Sequence, residues 1–104
     1  MIEEDRAEQA LNYLASTDEL CAKAKGVVKA LEYRLKVAKA VAFLGAIGTM
    51  AEKESYALAS VQYRDLIDQY ESAVIEFETI LAKRERAVLT IDVWRTESSN
   101  RRKG

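Results

Sequence analysis

Asp65, Asp68 and Glu71 follow one another three residues apart, so a helix places their carboxylates along one face. Oxygen ligands gathered in this way suit a hard cation such as magnesium. The plainer reading of the same run is a solvated acidic face that pairs with Lys23, Lys29 and Lys36. Cys21 is the sole thiol; in the first turn of a helix beginning at Ser16, the macrodipole would favour its thiolate. Its bland alternative is a small hydrophobe at the margin of a bundle. Tyr33-Arg34 and Tyr63-Arg64 repeat an aromatic-basic pair, and with Tyr70 they offer rings for stacking on bases, although aromatics at helical spacing more often belong to a core. The lysines from Lys23 to Lys39 form a face that would attract phosphates. Trp94-Arg95, followed by Arg101, Arg102 and Lys103, raises the same question at the other end.

Histidine is absent, and there is no Gly-rich phosphate loop, metal-ligand spacing or Ser/His/Asp arrangement. Acid-base chemistry would fall to carboxylates alone, so the expectation is a non-enzymatic protein without a cofactor or resident metal.

The elements that position these residues are legible from capping chemistry and periodicity. Ala7, Ala10, Leu11 and Leu14 suggest a short helix over about 3–15. Ser16-Thr17-Asp18-Glu19 reads as a capping box that opens a second, over 17–45. Gly45 and Gly48 close it, and Thr49-Met50-Ala51-Glu52 opens the next. From Tyr63 through Tyr70, Phe77, Arg84 and Ile91 to Trp94, seam residues recur at spacings of three and four, which predicts one helix over 50–97 with a possible cap and break at Ser60. Two apolar stripes share the second helix: Leu20, Ala24, Val27, Leu31, Leu35, Ala38 and Ala42, and beside them Ala30, Tyr33, Val37, Ala40 and Leu44. After Glu97 the periodicity fades, so 98–104 reads as a basic flexible tail and 1–97 as a single helical domain.

With 104 residues, 49% hydrophobic and 32% charged, no proline and abundant Ala, Leu, Glu, Lys and Arg, the chain reads as all-α. No apolar run approaches a membrane span, the start is acidic, and a single cysteine suits a reducing cytoplasm, so the expectation is a cytoplasmic protein without a membrane partner. Charge alternates in blocks. Six carboxylates oppose one cation in residues 1 to 19, and six cations oppose one carboxylate in 20 to 48. Seven carboxylates then oppose two cations in 49 to 80, and seven cations oppose three carboxylates in 81 to 104. A long antiparallel helical hairpin folded at Ala46-Ile47-Gly48-Thr49 lays each block beside its opposite, with residue numbers across the pair adding to roughly 95 by the helix lengths. A hairpin cannot cover both stripes of residues 20 to 44. The expectation is therefore a homodimer forming a helical bundle, with Tyr33, Val37, Val41 and Leu44 at the interface; a three-helix monomer is the alternative.

The series LNYLASTDE, LEYRLK, FLGAIGTMAE, QY and IDVWRTESSNRR resembles a group of small helical proteins encoded by tailed bacteriophages and prophages. The resemblance implies the cytoplasm of a bacterial host and a role in phage DNA metabolism or in interference with host machinery. It assigns no functional residue. The functional expectation is a helical binding protein, an accessory in phage DNA recombination or replication that touches DNA weakly through Arg95, Arg101, Arg102 and Lys103. The alternative is an adaptor or inhibitor that binds a host or phage protein through helix packing.

Overall fold

The computed structural model describes residues 1–103. They form three helices and, among the described residues, no strand: α1, Glu4–Gly45; α2, Met50–Ala59; and α3, Val61–Lys103. The chain is all-α.

α1 is one continuous helix, which corrects the expected division into 3–15 and 17–45. The Ser16 hydroxyl donates to the Tyr13 carbonyl at 3.1 Å and the Thr17 hydroxyl donates to the same oxygen at 2.7 Å. Both side chains bond backwards onto the preceding turn, as helix-interior Ser and Thr do, and the capping box is not formed. Cys21 therefore lies in mid-helix, half-buried, rather than in a first turn.

The end of α1 matches its glycine signals. Ala46 donates to the Phe43 carbonyl at 3.2 Å, and Gly48 takes the positive φ of 129° that lets the chain turn. Thr49 then caps α2: its side chain accepts from the Glu52 amide at 3.2 Å and its hydroxyl donates to the Glu52 carboxylate at 3.2 Å. The expected helix over 50–97 breaks at Ser60, whose ψ of 143° is extended. Ser60 closes α2 by donating its amide to the Ala57 carbonyl at 3.3 Å, and opens α3 by accepting from the Tyr63 amide at 3.4 Å.

α3 also runs further than expected. It is helical through Lys103, so the stretch read as a tail is helix as far as the structure describes it; Gly104 lies outside the described residues. Ser98 and Ser99 are still half-buried, and Arg101, Arg102 and Lys103 occupy the last turn, where cations complement the carbonyl end of the helix.

The chain divides into two compact units, to both of which α1 and α3 contribute: Met1–Lys23 together with the chain from Phe77 on, and Ala24–Glu76. Within each, partners approach in opposite sequence order. In the first unit the Ile2 amide donates to Glu97 at 2.8 Å while Arg84 reaches Leu14, Thr17 and Asp18. In the second, Tyr70 meets Glu32, Lys39 meets Glu54, and the Lys53 ammonium stands 5.8 Å from the centre of the Phe43 ring. The register differs from the expected one. Arg84 should face a residue near 11 but meets residues 14 to 18. Between the Lys39–Glu54 and Glu32–Tyr70 contacts α1 advances seven residues and the opposing chain sixteen, because the break at Ser60 takes up chain that a single straight helix would not.

Both long helices carry a seam of buried and half-buried residues at alternating steps of three and four. On α1 it starts at Ala7, Ala10 and Leu14 and passes through Thr17, Cys21, Ala24, Val28 and Leu31 to Ala42; on α3 it runs from Tyr63 through Arg84 to Ser98. Leu20 and Val27, expected in the α1 seam, are half exposed at 50% and 51%. Cys21 and Val28 take their places, while Ala24, Leu31, Leu35, Ala38 and Ala42 lie in the seam as expected. Among the described residues five of the eight buried apolar ones are alanine, with Leu31, Ile80 and Ile91 the larger ones, so the core is thin.

Candidate functional site

Arg84 is the most heavily bonded side chain of the first unit. It stands in the α3 seam between Ile80 and Ala87, both buried, where an apolar residue would otherwise sit. One guanidinium nitrogen donates to the Leu14 carbonyl at 2.9 Å and the Thr17 hydroxyl at 2.7 Å, and another donates to Asp18 at 2.6 Å. Thr17, itself 9% exposed, is able to accept because its own proton goes to Tyr13. The planar fork is what allows one side chain to satisfy three acceptors from successive turns. The sequence signal for this cluster is a lone cation in an apolar stripe.

Two depressions inside the first unit differ in charge. One, of about 370 Å³, is lined by Arg6, Gln9 and Tyr13 from α1 and Lys83, Arg86 and Thr90 from α3, over a floor of buried Ala10 and Ala87. It contains three cations and no carboxylate. The other, of about 300 Å³, is lined by Glu4, Ala7, Glu8, Leu11 and Trp94 and contains no cation. Trp94 thus lies beside Ala7 within this unit. The expected nucleic-acid residues Arg95, Arg101, Arg102 and Lys103 are all exposed. Arg101 bonds Ser98 at 3.3 Å and the Met1 sulfur at 3.8 Å.

The second unit presents the expected interface residues on its surface. Tyr33, Val37, Val41 and Leu44 are 70%, 44%, 59% and 81% exposed. Their spacings of four, four and three put them on one side of α1, away from the seam of Leu31, Leu35 and Ala38. Lys29, Arg34 and Lys36, also exposed, border them. Ile47 and Met50 extend the apolar surface into the turn.

Asp65, Asp68 and Glu71 are exposed, and no group of three metal-capable side chains gathers among the described residues. Tyr63 and Tyr70 are half-buried in the α3 seam, whereas Tyr33 is free of the core. Among the described residues no helix is long and apolar enough to cross a membrane. No protein-family model, curated protein or solved structure matches the chain.

Proposed function

We propose that the chain is a non-enzymatic helical binding protein that closes as one antiparallel hairpin and works as a homodimer. The observation that carries this reading is the exposed face of Tyr33, Val37, Val41 and Leu44. Contiguous apolar surface of this kind is costly in water and marks an interaction site. A thin, alanine-rich core argues the same way, since burying a second face adds what a small single chain lacks. A second copy also supplies matching charge: Lys29, Arg34 and Lys36 border the face, and the acidic residues 49 to 80 of the other copy complement them.

Sedimentation across a concentration series tests the reading. The expected outcome is a dimer for the native chain and a folded monomer for Val41→Glu/Leu44→Glu. A native chain that stays monomeric at every concentration overturns it and leaves the face to a helix of another protein.

A second reading has its own observation, the exposed cations of the last turn of α3. Arg101, Arg102 and Lys103, with Arg95 one to two turns earlier, supply weak, sequence-independent contacts to DNA phosphates, doubled in a dimer. The resemblance to small phage proteins supports a setting in recombination or replication inside a bacterial cell. Binding of double-stranded DNA at low salt by the native chain, weakened by truncation after Asn100, is the expected outcome; equal affinity after truncation removes this reading.

A further inference from the structure

We infer that the cationic depression of the first unit, between Arg6 on α1 and Lys83 and Arg86 on α3, is a site for phosphate groups. The charge distribution is the first ground. Arg6, Lys83 and Arg86 line a single recess, and among the described residues none of them joins an ion pair. No carboxylate lines this recess, and several acids of the same unit are occupied elsewhere, Glu19 with Lys23 among them. Glu4 and Glu8 line the other depression, Asp18 is bonded to Arg84, and Glu97 accepts from Ile2. Three like charges facing one recess repel one another, and a bound oxyanion converts that repulsion into attraction.

Donor chemistry is the second ground. Two guanidinium groups match the geometry of phosphate oxygens, and the lysine adds a mobile point charge. Gln9 and Tyr13 add an amide and a phenol that bond no other side chain among the described residues, while Thr90 donates inward to the Arg86 carbonyl. The small floor residues Ala10 and Ala87 leave the recess open between the helices, with about 370 Å³ of room, enough for a phosphate with the sugar it is carried on. The wall contributed by Tyr13 gives a base something to stack against. The ligand class is therefore a phosphate ester of nucleotide type, whether free or within a single strand. The assignment depends neither on the dimer nor on the cations at the end of α3.

The test measures binding of a fluorescent oligothymidylate and, by calorimetry, of adenosine monophosphate and inorganic phosphate. The proteins are the native chain, Arg6→Gln/Lys83→Gln/Arg86→Gln, and Arg101→Gln/Arg102→Gln/Lys103→Gln, across a salt series. The groove variant is expected to lose at least about tenfold in affinity. For the single strand, its dependence of log affinity on log salt should become shallower by about two, from three contacts at roughly 0.7 each. The three exposed positions predict an unchanged helical spectrum and urea midpoint, which separates lost binding from lost fold. Binding of the oligonucleotide alone assigns the site to a strand, and binding of the monophosphate assigns it to free nucleotides. The inference is overturned if the native chain binds none of the three at low salt, or if only the carboxy-terminal variant loses affinity.

Discussion

At the scale of single residues, Arg84 does what a polar group in an otherwise apolar seam does best: it makes one alignment of the helices distinguishable from its neighbours. Its three acceptors on Leu14, Thr17 and Asp18 come together only when those turns lie opposite position 84. Arg84→Ala should lower the free energy of unfolding by about 1–3 kcal/mol, the range for hydrogen bonds lost in a partly buried place, and Arg84→Lys should recover only part of it because a single ammonium cannot span the acceptors. Asp18→Asn should cost much less, since the Asp18 side chain is 70% exposed and screened by water. Urea unfolding of the three variants checks the order. Tyr70 makes a separate, pH-dependent contact. Its hydroxyl donates to Glu32 at 3.2 Å, and that hydrogen bond, aided by desolvation and the Glu32 charge, raises its pKa above 10.0. A raised pKa means that the folded chain holds the proton more tightly, so the contribution is complete below the unfolded value and is lost as pH climbs through the folded one. Ultraviolet titration of the native chain minus Tyr70→Phe should place this phenol above the ordinary range, and Glu32→Gln should return it.

At the scale of elements, what could be read from the sequence depended on whether a signal was local. Gly48 and Thr49 act through their own backbone and the next four residues, so the start of α2 was legible: the positive φ and the reciprocal Thr49–Glu52 bonds are both present. Ser16 carries an equally good capping pattern and forms no cap. Its neighbours Leu14, Thr17 and Cys21 continue the α1 seam, and burial of that seam outweighs a cap worth about 1 kcal/mol. Recognising Thr17 and Cys21 as seam residues needed the whole repeat from Ala7 onward, and reliance on the larger Leu20 and Val27 hid it. Arg84 was likewise visible as a member of the stripe, while its partners depended on a register that the break at Ser60 alters. Gly48→Ala puts a β-carbon 2.6 Å from Glu52 Oε2 at a φ of 129°, so it should destabilise the chain by more than about 1 kcal/mol. Thr49→Ala should cost about 1 kcal/mol through the lost cap. Thermal unfolding of both variants, with Gly26→Ala as the control that meets nothing within 4 Å, measures the difference.

At the scale of the whole molecule, the four alternating charge blocks were read as the device that selects the antiparallel pairing, and the structure qualifies that reading. One ion pair joins each pair of blocks, Arg84–Asp18 in the first unit and Lys39–Glu54 in the second, while Lys29 and Lys36 have no ion-pair partner among the described residues. Exposed pairs contribute about 0–1 kcal/mol each, so two of them do not hold a fold together. Most of the basic charge on α1 is therefore available to something other than the chain's own acidic segment. If the self-association proposed above brings the acidic residues 49 to 80 of a second copy against that surface, then Lys29→Glu/Lys36→Glu should leave the unfolding free energy of the dissociated chain, measured with urea, within about 0.5 kcal/mol of the native value, as surface substitutions usually do. The same variant should weaken the dimer, by a margin that shrinks as salt is added and screens the charges. Pairing of the lysines with acids of their own chain gives the opposite pattern, a lowered midpoint with association unchanged. Sedimentation and unfolding measured on the same preparations, at low and at high salt, separate the two arrangements.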